Sequence, residues 1–383
     1  MAIADTIKKV NSLEQYLNNY FVEKETEIRS ILLSVISRSP MLLIGPPGIA
    51  KTMCVQSFAK CISETEYFYK LLQKDTKPDE PFGVIPMSAF KTDKYCRKYQ
   101  GKVPTAHVVF IDEVFKSSSL LLNHFLSIMN EKIFDNDGEI VKCQWRGFFG
   151  ASNELPDGKE LGALYDRWII RLISNGIVEQ DNFVKMIKSG DFIAKEFVSL
   201  ADIDSLIEES QKVKITDDMA NLIYEIRYNM ENEGLFASPR RFKSITKILR
   251  AIALLRGGDS VVKTDFEIIP NCLWEDEKSI LQITKIVLKL SIPGLAKLVD
   301  IKDNVSDIER QAKELKDGET PQAVEIFNKI KDLKVELGNL KTTDNSIANS
   351  SIYKDVMKKI IKVGGSIGEK FFGMSRKNFE AQL

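Results

Sequence analysis

Short apolar runs alternate with stretches of helical spacing over the first 172 residues. Residues 41–44 and 107–111 are the clearest runs, and further candidate strands lie at 67–72, 148–152 and 168–172. Runs of this length suit strands that are buried on both faces of a parallel sheet. Apolar residues recur at helical spacing in the intervening segments, as at Ile28, Ile31, Leu32, Val35 and Ile36. The alternation predicts a doubly wound α/β domain over residues 1–172.

The strand pattern fades after residue 172. Residues 173–260 predict a helical domain that closes at Gly257-Gly258, and residues 261–383 predict a further helical region. Its tail, from residue 352, is an amphipathic helix carrying seven Lys/Arg against three Asp/Glu. Such a helix can dock on an anionic membrane or a partner, or pack on its own domain with the basic face in water. Both interpretations stay open.

The run at 41–44 ends in "GPPGIAKT", a pattern typical of a phosphate-binding loop. Its glycines let the backbone wrap a phosphate closely, the lysine adds a positive charge, and the threonine hydroxyl can bind Mg²⁺. The candidate residues are Gly45, Pro46, Pro47, Gly48, Ile49, Ala50, Lys51 and Thr52. Ala50 stands where the common pattern has a second glycine. We predict that its φ is negative, because alanine avoids the backbone regions that only glycine adopts freely.

Two other predicted strands end on polar side chains. Asp112-Glu113 follows "HVVFI", and Asn153 follows "FFGAS". A phosphate-loop ATPase needs an acid that holds Mg²⁺ through water and a group that orients the attacking water. Asp112 and Glu113 fit these two roles, and Asn153 is a candidate contact for the water or the γ-phosphate.

Four arginines form two close pairs. Arg167 and Arg171 are spaced i, i+4 in "LYDRWIIRL", and Arg240-Arg241 follows Pro239 at a helix start. An arginine can stabilise the charge that develops on a transferred phosphoryl group. Cations at a helix N-terminus oppose the helix dipole, so an anionic partner would explain the second pair.

Composition excludes several classes of function. Lys+Arg and Asp+Glu both number 54, and this balance argues against a dedicated nucleic-acid binder. The five cysteines are scattered without a C-x-x-C pair and there are only two histidines, which argues against a zinc site or a disulfide framework. The cysteine usage suits a reducing compartment, and the N-terminal residues lack the apolar core of a signal peptide. We therefore expect a cytoplasmic protein.

Five motifs in this order carry a specific resemblance: GPPGIAKT, VVFIDE, ASNELP, LYDRWIIRL and SPRRF. Together they resemble the MoxR group of AAA+ ATPases, and within it the RavA subgroup, whose phosphate loop also has alanine before the lysine. The phrases "PDEPFG" and "CLWEDEKSI" match in kind and position. The resemblance covers residues 10–290.

The resemblance implies an AAA+ P-loop core over residues 1–172, an α-helical lid over 173–260, a helical extension over 261–383, and a hexameric ring with ATP or ADP between subunits. Thr52 and Asp112 would hold Mg²⁺, Glu113 would be catalytic, and Asn153 would be the first sensor. Arg167 would be the arginine finger that acts on the neighbouring subunit, with Arg171 as its companion. Arg240 would be the second sensor, reached from the lid, with Arg241 as the alternative. Val22 and Thr26 would lie near the adenine.

The resemblance also implies a partner with a von Willebrand factor A domain and a chaperone-like role in remodelling or maturing a protein complex. Residues 91–101 would form a hairpin that faces the ring pore. The chain departs from the subgroup at residues 291–383, which lack the pattern of its β-rich module. Two alternatives remain: a nucleic-acid motor or loader on the same core, and a scaffold that binds ATP with little hydrolysis. The segment 91–102, basic with interleaved tyrosines, is compatible with the motor.

Overall fold

The computed structural model of the protein describes residues 3–91, 93–156, 162–315, 320–343 and 351–373. The chain forms two compact units by internal contacts: residues 1–223 with 236–277, and residues 224–235 with 278–383. The domain limits predicted at residues 172 and 260 stay predictions.

The strands of the described residues are short, and all of them belong to the first unit. In chain order they are β1 (Met41–Ile44), β2 (Ile62–Ser63), β3 (Tyr67–Leu71), β4 (Val108–Asp112), β5 (Ile133–Asn136), β6 (Glu139–Lys142), β7 (Gly147–Ser152), β8 (Ile170–Ile173) and β9 (Val198–Ser199).

The helices fall in both units. They are α1 (Ile3–Tyr20), α2 (Glu25–Ser37), α3 (Lys51–Lys60), α4 (Asp79–Phe82), α5 (Met87–Phe90), α6 (Ser119–Asn130), α7 (Gly162–Arg167), α8 (Gln180–Lys188), α9 (Leu200–Lys212), α10 (Asp217–Asn232), α11 (Pro239–Leu255), α12 (Ile280–Ser291), α13 (Pro293–Glu314), α14 (Thr320–Thr343) and α15 (Ser351–Phe372).

Five parallel strands form the central sheet in the order β3-β4-β7-β1-β8. The residues of β1 and β7 are all buried, as their apolar composition predicts for strands covered on both faces. Gly150 of β7 lies against the ring of Trp168, and a Cβ there would come within 2.7 Å of it. The predicted α/β class is confirmed, and the strand predicted at 168–172 begins at Ile170.

Helix α2 contributes the apolar stripe identified in the sequence, and Ile28, Ile31 and Val35 are at most 1% exposed. Helix α1 is joined to α9 through Asp202, which accepts a hydrogen bond from Lys9 Nζ at 3.1 Å. Ser199 and Asp202 also form a capping box that begins α9.

An antiparallel hairpin of β5 and β6 was not predicted, and the hairpin expected at residues 91–101 is wrong. The described part of that segment has no strand and is tied to the β5–β6 turn instead. Tyr95 N donates to Asp137 Oδ2 at 2.9 Å, and Arg97 N donates to Asn136 Oδ1 at 2.7 Å. The alternating pattern of 133–142 is short and largely exposed, so its strand signal is weak.

The second unit is helical throughout its described residues, and α13, α14 and α15 share one hydrophobic core. The apolar stripe of α15 is buried there, through Val356, Ile360, Val363 and Ile367. Because this face is already covered, the structure contradicts membrane docking through the apolar side of the tail. Phe379, a further apolar residue of the tail that could contribute to docking, lies outside the described residues. No helix of the described residues has both the length and the apolar content of a membrane span.

Candidate nucleotide-binding site

The predicted phosphate loop connects the carboxyl end of β1 to the first turn of α3. Gly45 N donates to Ser152 O at 3.1 Å, which ties the start of the loop to β7. A Cβ on Gly45 would lie 2.2 Å from Ser174 O, so this close approach of two backbones requires glycine. Gly48 has a φ of +79°, a conformation that glycine adopts without strain. The backbone geometry of the loop therefore explains why both positions are glycine.

The structure contradicts the prediction that the φ of Ala50 is negative. Its φ is +66° and its ψ is 18°, in the left-handed region. The residue caps α3, and its carbonyl already accepts the hydrogen bond of Cys54 N at 3.0 Å. The chain must turn sharply between the loop and this first helical bond, and the turn imposes the left-handed conformation despite its cost for alanine.

Lys51 turns its ammonium group back into the loop. Its Nζ donates to Gly45 O, to Pro46 O at 3.0 Å and to Asn153 Oδ1 at 3.1 Å. Burial lowers the pKa of Lys51, although Asp112 and Glu113 oppose this effect. An arriving phosphate oxygen could exchange for these carbonyl acceptors and would compensate the buried charge.

Thr52, in the first turn of α3, lies close to Asp112, at the carboxyl end of β4. Thr52 Oγ1 donates to Asp112 Oδ2 at 3.4 Å, and Tyr69 OH lies at the same distance from that oxygen. A hydroxyl and a carboxylate are hard oxygen ligands that suit Mg²⁺, which is usually held by one or two protein oxygens plus water and phosphate. The donor set therefore fits a magnesium ion bound together with a nucleotide.

Glu113 lies at the centre of a small polar network. Its Oε1 accepts a hydrogen bond from Asn153 Nδ2, and its Oε2 lies 3.2 Å from Lys116 Nζ. Its backbone is left-handed, with a φ of +52°, at the end of β4. Strained residues of this kind cluster at functional sites. Asn153 thus joins Lys51 to Glu113, two residues that are 62 positions apart in the chain.

An apolar cavity of about 380 Å³ adjoins the phosphate loop. Its walls come from residues 20–22, the loop itself, and the segment after β8. The lining residues are Tyr20, Phe21, Val22, Lys24, Gly48, Ile49, Ala50, Met53, Gly176, Ile177, Phe183, Met186 and Ser189. Val22 lines this cavity as expected for a base site. Thr26 is exposed and is not part of its wall, so a place for Thr26 near the adenine stays a prediction.

Two of the four arginines are structural. Arg171 is completely buried and donates to Trp168 O at 3.1 Å, to Tyr165 O at 2.7 Å and to Trp274 O at 2.5 Å. Burial, with the nearby charge of Arg241, lowers the pKa of Arg171 to about 9. Its guanidinium is committed to backbone carbonyls within its own core. A role for Arg171 as companion to an arginine finger is therefore wrong.

Arg241 is also completely buried and donates to four carbonyls, Ile169 O at 3.0 Å, Cys272 O at 2.9 Å, Trp168 O at 2.5 Å and Asp166 O at 3.5 Å. It cannot serve as the alternative second sensor, because its donors are already used inside the core. Its position explains the cation at the start of α11: the guanidinium binds neutral carbonyl oxygens, and its anionic partner is the carboxylate of Asp166, whose Oδ1 lies 3.6 Å from Arg241 Nε.

Arg240 is exposed and Arg167 is half-buried in the first unit, and both lie at the opposite end of the sheet from the phosphate loop. Helix α7 ends at Arg167, three residues before the start of β8 at Ile170. Ile170 pairs with Met41 at the amino end of β1. Ser238 Oγ, two residues before Arg240, donates to Asp166 Oδ1 at 3.0 Å. Burial lowers the pKa of Arg167, and the charge of Arg240 lowers it further. The four residues of β1 span about 13 Å, so neither arginine is close to the phosphate loop of its own chain.

Sequence reasoning missed a buried lysine beside the loop. Lys24 is 4% exposed, and its Nζ donates to Glu27 Oε1 at 3.1 Å and to Ser174 Oγ at 3.0 Å. Ser174 Oγ in turn donates to Glu27 Oε1 at 2.7 Å. The i, i+3 spacing of Lys24 and Glu27 was visible, but it is common on solvated helices. Lys116 was missed for the same reason, whereas Tyr69 was missed because it reaches Asp112 from a different strand, 43 positions away in the chain.

The sheet order, the loop at the end of β1 and the acid pair at the end of the strand two places away define a P-loop nucleotide-binding domain of the AAA+ class. A family model described as the MoxR domain in the MoxR-vWA-beta-propeller ternary systems matches residues 8–211, and an AAA lid domain model matches residues 218–287. The chain belongs to the MoxR family of AAA+ ATPases.

The chain is similar over nearly its whole length to two uncharacterized proteins of Methanocaldococcus jannaschii. It is 30% identical to MJ0079 over 366 residues, covering 94% of this chain and 96% of that one. It is 31% identical to MJ0812 over 363 residues, covering 92% and 96%. Among solved structures, a candidate ATPase from Cytophaga hutchinsonii shares the fold with a TM-score of 0.60 and 17% identity, covering 75% of this chain and 95% of that one.

Proposed function

We propose that the protein is a Mg²⁺-dependent, ring-forming ATP hydrolase that uses turnover to remodel or mature a protein complex. The observation that carries the proposal is the convergence of Lys51, Thr52, Asp112, Glu113 and Asn153 at one edge of the sheet. These residues come from two strand ends and one helix, and together they supply a phosphate-binding cation, oxygen ligands for Mg²⁺ and groups that can orient the attacking water.

Each residue has one role in this mechanism. Lys51 neutralises charge on the β- and γ-phosphate oxygens, and Thr52 with Asp112 would hold Mg²⁺, which would supply further positive charge to the same oxygens. Glu113 orients the attacking water and accepts its proton. Asn153 contacts both Glu113 and Lys51 in the structure. It is therefore suited to sense whether a γ-phosphate has displaced it from the lysine.

Arg167 and Arg240 act on the nucleotide of the neighbouring subunit in this proposal. Their distance from their own phosphate loop supports action in trans, and their proximity to each other suits one shared anion. This differs from a second sensor that reaches its own nucleotide from the lid. A closed ring, with six subunits by resemblance, would bring each pair to the next active site.

The partner we propose is a protein with a von Willebrand factor A domain. The support is the description of the matching family model, which names MoxR-vWA-beta-propeller ternary systems. The resemblance to the RavA subgroup stays a prediction. The second unit has its own helical core and lacks a strand among its described residues, so a β-rich partner module cannot be assumed.

The mechanism is tested by Lys51→Ala and Glu113→Gln. We expect Lys51→Ala to lose ATP binding, because it removes the only charge that the loop directs to phosphate. Glu113→Gln should bind ATP normally and lose hydrolysis by at least about a hundredfold, in line with the loss of a general base. Equilibrium titration with a fluorescent ATP analogue and a phosphate-release assay measure the two effects separately.

Lys60→Ala is the matched control for Lys51→Ala, since Lys60 is the exposed lysine at the other end of α3. It should leave both binding and turnover unchanged. Normal hydrolysis by Glu113→Gln would refute the assignment of Glu113. A trapped ATP complex of the same variant is also the best bait for the protein partner.

A further inference from the structure

Helix α8 has no buried residue, although it lies beside the cavity next to the phosphate loop. Its apolar side chains are conspicuously exposed: Phe183 is 51% exposed and Ile187 is 67% exposed. Packing of its own side chains therefore does not explain its position. The segment is fastened at its two ends instead.

The first fastening is the carboxylate of Glu23. Its Oε2 accepts Val178 N at 2.8 Å, and its Oε1 accepts Glu179 N at 3.0 Å and Asn182 Nδ2 at 2.8 Å. Burial alone would raise the pKa of Glu23, but these hydrogen bonds and the charge of Lys24 lower it overall. The ionised carboxylate thus holds the two residues immediately before α8 and the side chain of Asn182 in its first turn, and it places a negative charge at the helix N-terminus, where the helix dipole favours it.

The second fastening follows the helix. The ring of Phe192 packs edge-on against Tyr20, with centroids 5.1 Å apart, and Tyr16 OH donates to Ile193 O at 2.5 Å. Both tyrosines belong to α1, which leads directly into Glu23. The body of α8 is therefore held across the cavity by the segment between α1 and α2.

The side of α8 that faces the cavity carries Phe183 and Met186. The opposite wall includes Gly48 and Ala50 of the phosphate loop, so the cavity is continuous with the proposed phosphate site. A volume of about 380 Å³ lies within the range of ligand pockets. A nucleoside triphosphate whose phosphates occupy the loop would direct its flat, apolar base into this space. Stacking on an exposed aromatic ring would then remove both surfaces from water.

We propose that Glu23 is a positioning residue for nucleobase recognition: its carboxylate fastens α8 so that Phe183 and Met186 form the outer wall against the purine ring of ATP. The inference rests on the proposed ATPase function. In this proposal, contacts with the outer wall contribute a part of the ATP-binding energy that depends on the base and not on the phosphates.

The test compares ATP with inorganic tripolyphosphate, which has the phosphates but no base, by calorimetric titration of the full chain in Mg²⁺. Phe183→Ala should weaken ATP binding roughly tenfold and leave tripolyphosphate binding unchanged. Val184→Ala is the control, because Val184 lies on the same helix, is 41% exposed and does not line the cavity. It should affect neither ligand.

Glu23→Ala should reproduce the selective loss of ATP affinity, and it should raise KM for ATP with little change in kcat. Glu23→Gln retains one carbonyl acceptor and should fall between Glu23→Ala and the wild type. Amide hydrogen exchange at Val178 and Glu179 should quicken in Glu23→Ala, which reports loss of the fastening without reference to activity.

Three results would overturn the inference: equal weakening of ATP and tripolyphosphate in Phe183→Ala, unchanged ATP affinity in Glu23→Ala, or an effect of Val184→Ala as large as that of Phe183→Ala. Failure of the wild-type chain to bind ATP would overturn the proposed function as well. The wild-type titration therefore distinguishes the two failures.

Discussion

The left-handed conformation of Ala50 predicts that Ala50→Gly stabilises the protein. A non-glycine residue in this region costs about 1–2 kcal/mol, because its Cβ crowds the following carbonyl oxygen. Glycine removes that cost at a φ of +66°. It also makes the unfolded chain more flexible, which costs about 0.4–1 kcal/mol. The difference leaves a net gain of about 0.5–1 kcal/mol.

A gain of that size should raise the melting temperature by about 1–4 °C, since 1 kcal/mol corresponds to roughly 2–4 °C for a domain of 150–250 residues. Differential scanning calorimetry of the nucleotide-free protein measures it. Ala50 also lines the cavity beside the loop, so ATP affinity should be measured in parallel. We expect at most a small change, because only one methyl group is lost.

Ala59→Gly is the matched control. Ala59 is a buried residue of the same helix and is not among the residues with positive φ. Glycine there costs about 1 kcal/mol in helix propensity, and the lost methyl group adds to that cost. A lowered melting temperature for both variants would mean that Ala50 has an ordinary negative φ. That result would refute the inference that its left-handed conformation is strained. Ala50→Val should be less stable than the wild type, because β-branching adds to the strain.

Two further predictions concern the arginines and a half-buried lysine, Lys132. Homogeneous Arg167→Ala or Arg240→Ala chains should bind ATP normally and lose turnover, by about a thousandfold for Arg167. Mixing either variant with a chain that cannot bind ATP should restore hydrolysis. Weakened ATP binding by either variant would instead indicate action in cis. Burial and the charge of Arg38 lower the pKa of Lys132 to about 7, whereas an unfolded lysine titrates near ~10.4. Unfolding between these values takes up a proton, so this group favours the folded state more as pH rises. Lys132→Met should therefore raise the free energy of unfolding most below pH ~7 and least near pH ~10, as measured by urea unfolding. Lys142 is exposed, so Lys142→Met is the control. A similar pH-dependent gain in Lys142→Met would show that burial of Lys132 is not the cause.

Much of the fold was predictable because its determinants are local. The strands β1, β4 and β7 are wholly or almost wholly buried, so they are continuously apolar in sequence. The turn at residues 45–48 and the acids after β4 follow from residue type and spacing. The weaker elements were missed for the converse reason. The β5–β6 hairpin is mostly exposed, and the two-residue strands β2 and β9 are too short to carry a period.

The roles of the arginines could not be ranked from sequence, because local spacing gives no information on burial. Arg240 and Arg241 are adjacent, yet one is exposed and the other is 0% exposed. The same holds for Arg167 and Arg171, which are only four positions apart. A β-strand begins between them at Ile170, so the two side chains enter different environments.

The sequence by itself determined the phosphate loop, the acid pair, the α/β class and the family, because each depends on residues close together in the chain or on ordered motifs. Only the tertiary structure decided which arginines are structural, where the base cavity lies, and that Glu23 fastens α8. Those features depend on contacts between distant segments, such as the hydrogen bonds between residues 72, 103 and 155 positions apart. Only tertiary structure also decided the φ of Ala50, because the turn between β1 and α3 is imposed by the packing of both elements, and alanine accepts its strain.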